Sequence, residues 1–140
     1  MSGSAASDLE SRAKAAQQLA HAPYSKFRVG ASVRASGRTF DGANIENASY
    51  SLAICAERTA MSAAVLAGAR DLEEVAVCTD ASPPSSPCGA CRQFLYEFAP
   101  DPAKVRVTAI NGAGERRSWT LAELLPDGFS GRELAVSEPE

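Results

Sequence analysis

Residues 49–60 read SYSLAICAERTA. A cysteine stands where a helix begins, and a glutamate follows two positions later, in a chain with only four cysteines. Cysteine is often no more than a small core residue. The alternative is that Cys55 and Glu57 belong to a metal site completed elsewhere in the chain. The segment 54–67 has no Gly or Pro and is rich in Ala, so it is expected to be helical, with Gly68 where the helix would stop.

Working outward, EEVAVCT (73–79) reads as a short apolar strand and DASPPSSP (80–87) as a loop. GACRQFLYEF (89–98) resumes helical spacing, KVRVTAI (104–110) alternates as a strand, and TLAELL (120–125) is a short helix opened by Thr120 and limited by Pro126. Upstream, VGASVRASGRTFDGANI (29–45) reads as a hairpin turning at Ser36-Gly37. Ser7 and Glu10 have the form of a capping box before a first helix over about 8–20. Strands alternating with helices imply a partly parallel sheet with helices packed on it. The Pro/Ser loop lies between a strand and a helix, where such α/β folds place their sites.

A length of 140 residues suits one compact domain over 1–140, with 1–6 and 132–140 expected as flexible tails. The formal net charge is −3, and the only adjacent basic pair is Arg116–Arg117. A phosphate-tracking surface needs a basic patch, so no nucleic-acid partner is expected. No apolar run approaches a membrane span. The first residues lack the basic-then-apolar order of a secretory signal, so the expected compartment is the cytoplasm, where thiols stay reduced. The single histidine, His21, excludes a site built on two imidazoles and reads as a surface residue.

Cys88 and Cys91 form C-x-x-C directly after Pro87. In a reducing compartment this pattern is a redox dithiol or a metal clamp. At a helix start the two thiols share a face, and helix N-termini favour thiolate over thiol. Cys55 would give a zinc ion three protein ligands and leave one tetrahedral position open, the mark of a catalytic rather than a structural site. Glu57, two residues from Cys55, does not project along the same direction. It is therefore better placed to take a proton from an activated water than to act as a fourth ligand. A non-ligand Glu with a P-C-x-x-C segment is the pattern of zinc deaminases.

At these residues the chain resembles the cytidine deaminases, of the small, all-cysteine, homotetrameric type. PYSKFRVGA (23–31), NIENASYSLAICAERTA (44–60), SPCGACRQ (86–93) and LLPDGF (124–129) carry the resemblance. It implies a three-layer α-β-α fold with a mixed central sheet of about five strands and helices on both faces. It further implies one zinc per chain on Cys55, Cys88 and Cys91, with Glu57 as proton shuttle. Asn44 and Glu46 match residues that hold ribose hydroxyls, Phe27 matches an aromatic packed on the pyrimidine, and the Ala56 backbone matches a contact to the base. Ala48 and Tyr50 match positions that reach a neighbouring subunit's site, and Phe129 an aromatic that closes one. The implied activity converts cytidine and 2′-deoxycytidine to uridine and 2′-deoxyuridine plus ammonia, a pyrimidine-salvage reaction on a small nucleoside. Arg58 is expected to hydrogen-bond a zinc thiolate, that of Cys88, and to draw charge off the sulfur.

Other readings stay open on the residues alone. A structural zinc would need a fourth ligand, and only Cys78, in mid-strand, is spare. A redox dithiol leaves Cys55 and Glu57 unexplained. Among enzymes, a deaminase of another aminopyrimidine, such as blasticidin S, or a polynucleotide editor would use similar motifs. A noncatalytic zinc-stabilised binding module would have no use for Glu57.

Overall fold

The computed structural model describes residues 4–134, with side chains from Asp8 onward. Helix α1 (Ser4–Gln17) leads into the antiparallel hairpin β1 (Gly30–Ala35) and β2 (Arg38–Ala43). Ser36 and Gly37 both take positive φ, 49° and 77°, which matches the right-handed twist of the flanking strands. Helix α2 (Ala56–Leu66), strand β3 (Leu72–Cys78), helix α3 (Gly89–Tyr96), strands β4 (Arg106–Ile110) and β5 (Arg116–Thr120), and the one-turn helix α4 (Leu121–Leu124) follow. Gly68, at φ 83°, ends the α2 region as expected. Thr120 and Glu123 cap α4 reciprocally.

The strand order is β2-β1-β3-β4-β5, with β3 and β4 parallel and the other pairs antiparallel. Alternation along the strands splits the core in two. Ala31, Val33, Val75, Val77 and Val107 pack toward α2, while Ala76, Cys78 and Ile110 pack with Leu9 and Ala13 of α1. Helices therefore cover both faces of a five-stranded mixed sheet, as the resemblance implied.

Two expectations need correction. The first helix spans Ser4–Gln17 instead of 8–20, so Ser7 lies inside it and does not cap it. The residue pattern alone marks four strands. The fifth, β5, has the sequence RRSWT and is exposed along its first half, so it lacks the apolar alternation that marks a buried strand. It forms because β4 offers an open edge, and Trp119 packs against the core. The expected tails at 1–6 and 132–140 lie mostly outside the described residues, but 4–6 are helical and Gly131–Leu134 form a 3-10 turn.

Two glycines set how closely the helices approach the sheet. A Cβ on Gly42 would lie 2.4 Å from the Ala60 nitrogen and 2.6 Å from the Ala56 carbonyl oxygen. A Cβ on Gly30 would lie 2.1 Å from the Ala13 oxygen. Gly42 thus seats the first turn of α2, which carries Cys55 and Glu57, directly on β2. Gly42→Ala is expected to cost at least ~2 kcal/mol, because the obstruction is backbone and cannot rotate away. Gly112→Ala, with nothing within 4 Å, should stay within about 0.5 kcal/mol of native. Urea midpoints of the two variants check this.

Candidate active site

Cys55 is the N-cap of α2, and Cys88 is the N-cap of α3. Cys91 lies one turn into α3 and is fully buried. The two helix starts converge, so the sulfurs of Cys55, Cys88 and Cys91 all lie within 4.8 Å of one another. Neither cysteine cap accepts a backbone N–H through its side chain, which leaves both sulfurs free to face the cluster.

The cluster is electrostatically uneven. A hydrogen bond from Cys91 holds Cys55 down to about 5, with Arg58 helping and burial opposing. Cys91 is pushed up for the complementary reason: its proton is the one shared with Cys55, and it is desolvated. Glu57 is 5% exposed, and burial lifts its carboxyl to about 7, aided by the charge on Cys55. Arg58 donates from Nη2 to the Cys55 sulfur at 3.8 Å and to the Ala53 carbonyl oxygen at 3.4 Å. This corrects the expected partner, Cys88. Arg58 sits three residues after Cys55 on one helix face, so its guanidinium falls on that sulfur first.

A cavity of about 270 Å³ opens over the cluster. Phe27, Asn44, Glu46, Ala56 and Glu57 line it together with Cys55 and Cys88. The Asn44 amide accepts from the Val29 N–H at 2.8 Å and donates to the Phe27 carbonyl oxygen at 2.9 Å. It keeps one N–H and one lone pair for another partner. Glu46 accepts from the Tyr24 and Ser25 N–H groups and from the Ser25 hydroxyl, which lowers its pKa.

Of the remaining candidates, Tyr50 is 76% exposed and meets Tyr24 edge-on, with ring centroids 6.0 Å apart, beside the cavity. Ala48 is exposed and outside the cavity lining. Phe129 is 53% exposed, and its carbonyl oxygen accepts from Gln93 at 2.8 Å. Within one chain, then, Ala48, Tyr50 and Phe129 do not enter the cavity. Thr79, Ser85 and Ser86 do, and no residue pattern singled them out. The only available signal was their place in or next to the loop between β3 and α3.

The donor set fits zinc. Three soft thiolates suit it, and tetrahedral Zn–S bonds of about 2.3 Å need sulfurs about 3.8 Å apart, a spacing inside the 4.8 Å that bounds the cluster. Arg58, whose Nη2 already donates to the Cys55 sulfur, also has a buried Nε without a hydrogen-bond partner, so it holds spare donor capacity beside a cluster that becomes anionic once its protons leave. Cys78 lies outside the cluster and donates instead to Gln17 at 3.3 Å. A fourth sulfur for a closed structural site is therefore missing among the described residues.

Comparison with known proteins agrees with this geometry. Residues 4–118 match the family model of the cytidine and deoxycytidylate deaminase zinc-binding region. A cytidine deaminase of Sporosarcina psychrophila is 44% identical over 130 residues, covering 92% of this chain and 94% of its own. One from Halalkalibacterium halodurans is 44% identical over 120 residues, covering 85% and 89%. The crystal structure of cytidine deaminase from Burkholderia pseudomallei superposes with a TM-score of 0.82 at 44% identity, covering 88% of this chain and 98% of that one.

The cluster geometry predicts an order of thiol reactivity. In metal-stripped folded protein, a thiol-reactive aromatic disulfide should modify the exposed Cys88 before the buried Cys91, and Cys78 only after unfolding. Reloading with zinc should protect Cys55, Cys88 and Cys91 together, which peptide mapping of the modified protein would show.

Proposed function

The chain belongs to the cytidine and deoxycytidylate deaminase family, and from that premise we propose that it hydrolyses free cytidine and 2′-deoxycytidine to the uracil nucleosides and ammonia. The observation that carries this reading is a buried glutamate beside a three-thiol cluster on the floor of a cavity sized for a small molecule. Cys55, Cys88 and Cys91 would hold one zinc ion per chain. Zinc, when bound, supplies Lewis-acid activation of the attacking water.

The chain's own residues do the rest. Glu57 accepts a proton from the water, delivers it to ring N3 as C4 is attacked, and then carries a proton to the departing ammonia. Burial raises the Glu57 carboxyl above the usual carboxylate range, the direction that suits a group that must both take and give protons. Phe27 packs on the pyrimidine, and the Ala56 backbone at the start of α2 contacts the base. Asn44 and Glu46 bind ribose hydroxyls with their remaining capacity, already oriented by the Phe27–Val29 and Tyr24–Ser25 backbone. Arg58 offsets the negative charge of the thiolates.

The proposed assembly is a homotetramer in which Ala48, Tyr50 and Phe129 reach a neighbouring subunit's site. Their exposure in the single chain, with Leu52 at 62% and Ile54 at 41%, supports a covered face there. Among the described residues no helix is long and apolar enough to cross a membrane. The proposed setting is cytoplasmic pyrimidine salvage.

The deciding experiment pairs native protein with Glu57→Gln. Both should hold about one zinc per chain. Turnover, followed by loss of the cytidine ultraviolet band, should fall by roughly 10²- to 10⁴-fold in the variant. Zinc in both with no turnover in either would remove cytidine as the substrate.

A further inference from the structure

Gln17 closes α1 on the face of the sheet opposite the metal cluster, yet its side chain ties together two walls of the cavity. It is 6% exposed. Its Nε2 donates to the Arg28 carbonyl oxygen at 3.0 Å and to Asp80 Oδ1 at 3.1 Å. Its Oε1 accepts the Cys78 thiol at 3.3 Å. Arg28 stands between Phe27 and Val29, which both line the cavity. Asp80 follows Thr79, which lines it from the end of β3. One amide therefore sets the spacing between the segment that presents Phe27 and the strand end that presents Thr79.

The amide is held there by backbone. At Gly30, where a Cβ would stand 2.3 Å from the Gln17 nitrogen and 2.8 Å from its Cα, α1 rests directly on β1. With the helix unable to shift, removing the amide donors leaves a part-buried carbonyl unpaired and frees Asp80 from the Phe27–Val29 segment.

We infer that Gln17 is a positioning residue for nucleoside binding, setting the width of the cavity from behind the sheet without touching the substrate. This rests on the reading of the cavity as the nucleoside site. The amide fixes ground-state geometry remote from the cluster, so its loss acts on binding and leaves the proton chemistry of Glu57 intact.

The test uses Gln17→Met, which keeps length and burial but offers neither donor. Its KM for cytidine should rise roughly fivefold or more, with kcat within about twofold of native and zinc content unchanged. Asp80→Ala, at an exposed residue, removes one of the two bonds and should raise KM less; it also serves if Gln17→Met fails to fold. Cys78→Ala removes the thiol but leaves both amide donors, and should leave KM unchanged. A lowered melting temperature with native KM in Gln17→Met and Asp80→Ala would overturn the inference, as would a KM rise in Cys78→Ala equal to that in Gln17→Met. Asn44→Ala separates the two levels. If it raises KM while the Gln17 and Asp80 variants do not, the cavity reading stands and the role of Gln17 falls. If none of these variants moves KM, the cavity reading falls and takes the inference with it.

Discussion

The structure turns on bringing three sulfurs within 4.8 Å of each other from two separate helix starts. Three thiolates at that distance repel, and three thiols have little to offer one another. The fold eases both problems. Each helix turns its N-terminal, electropositive end toward the cluster, and Arg58 adds a full positive charge on the Cys55 side. Between Cys55 and Cys91 a proton is shared unequally, held on Cys91 and withdrawn from Cys55. A cation replacing that proton would relieve the arrangement, so the strain of gathering the ligands and the affinity for a metal have one origin.

Everything else positions those two helix starts. Helix α2 is located by the missing side chain at Gly42, which lets its Ala56–Ala60 turn rest on β2. The start of α3 hangs from the loop after β3, and that loop is held from outside. The Asn111 amide donates to the Ala81 carbonyl oxygen, Glu115 accepts from the Ser82 hydroxyl, and Arg92 donates to the Pro87 carbonyl oxygen next to Cys88. The sheet acts as a spacer whose two faces are each in backbone contact with a helix.

What could be read in the sequence was local. The hairpin was legible because Ser36-Gly37 is a turn signal between two extended runs, and α2 because an Ala-rich run without Gly or Pro favours a helix. Cys55, Glu57, Cys88 and Cys91 stood out because their spacing has chemical meaning before any fold is known. Strand β5 did not, because an edge strand with an exposed face takes its identity from the partner strand. Thr79, Ser85 and Ser86 were silent for a similar reason: a hydroxyl in a Ser/Pro loop looks the same whether it faces solvent or a cavity. The misassigned partner of Arg58 is different in kind. The i, i+3 relation to Cys55 was present in the sequence, and helix geometry favours that contact over one crossing to another helix.

The fourth cysteine shows how strand alternation shapes the chemistry. Cys78 stands between Val77 and Thr79, both of which line the cavity over the cluster. Period-two alternation turns Cys78 to the other face, among Leu9 and Ala13, where Gln17 engages its thiol. A shift of one residue in the pairing of β3 would exchange these faces and bring a fourth sulfur toward the three already gathered. Four sulfurs close a zinc site, and three leave it open to water. The register of β3 thus keeps Cys78 on the face away from the three-sulfur cluster. That register is fixed on both sides, by antiparallel pairing with β1 and parallel pairing with β4.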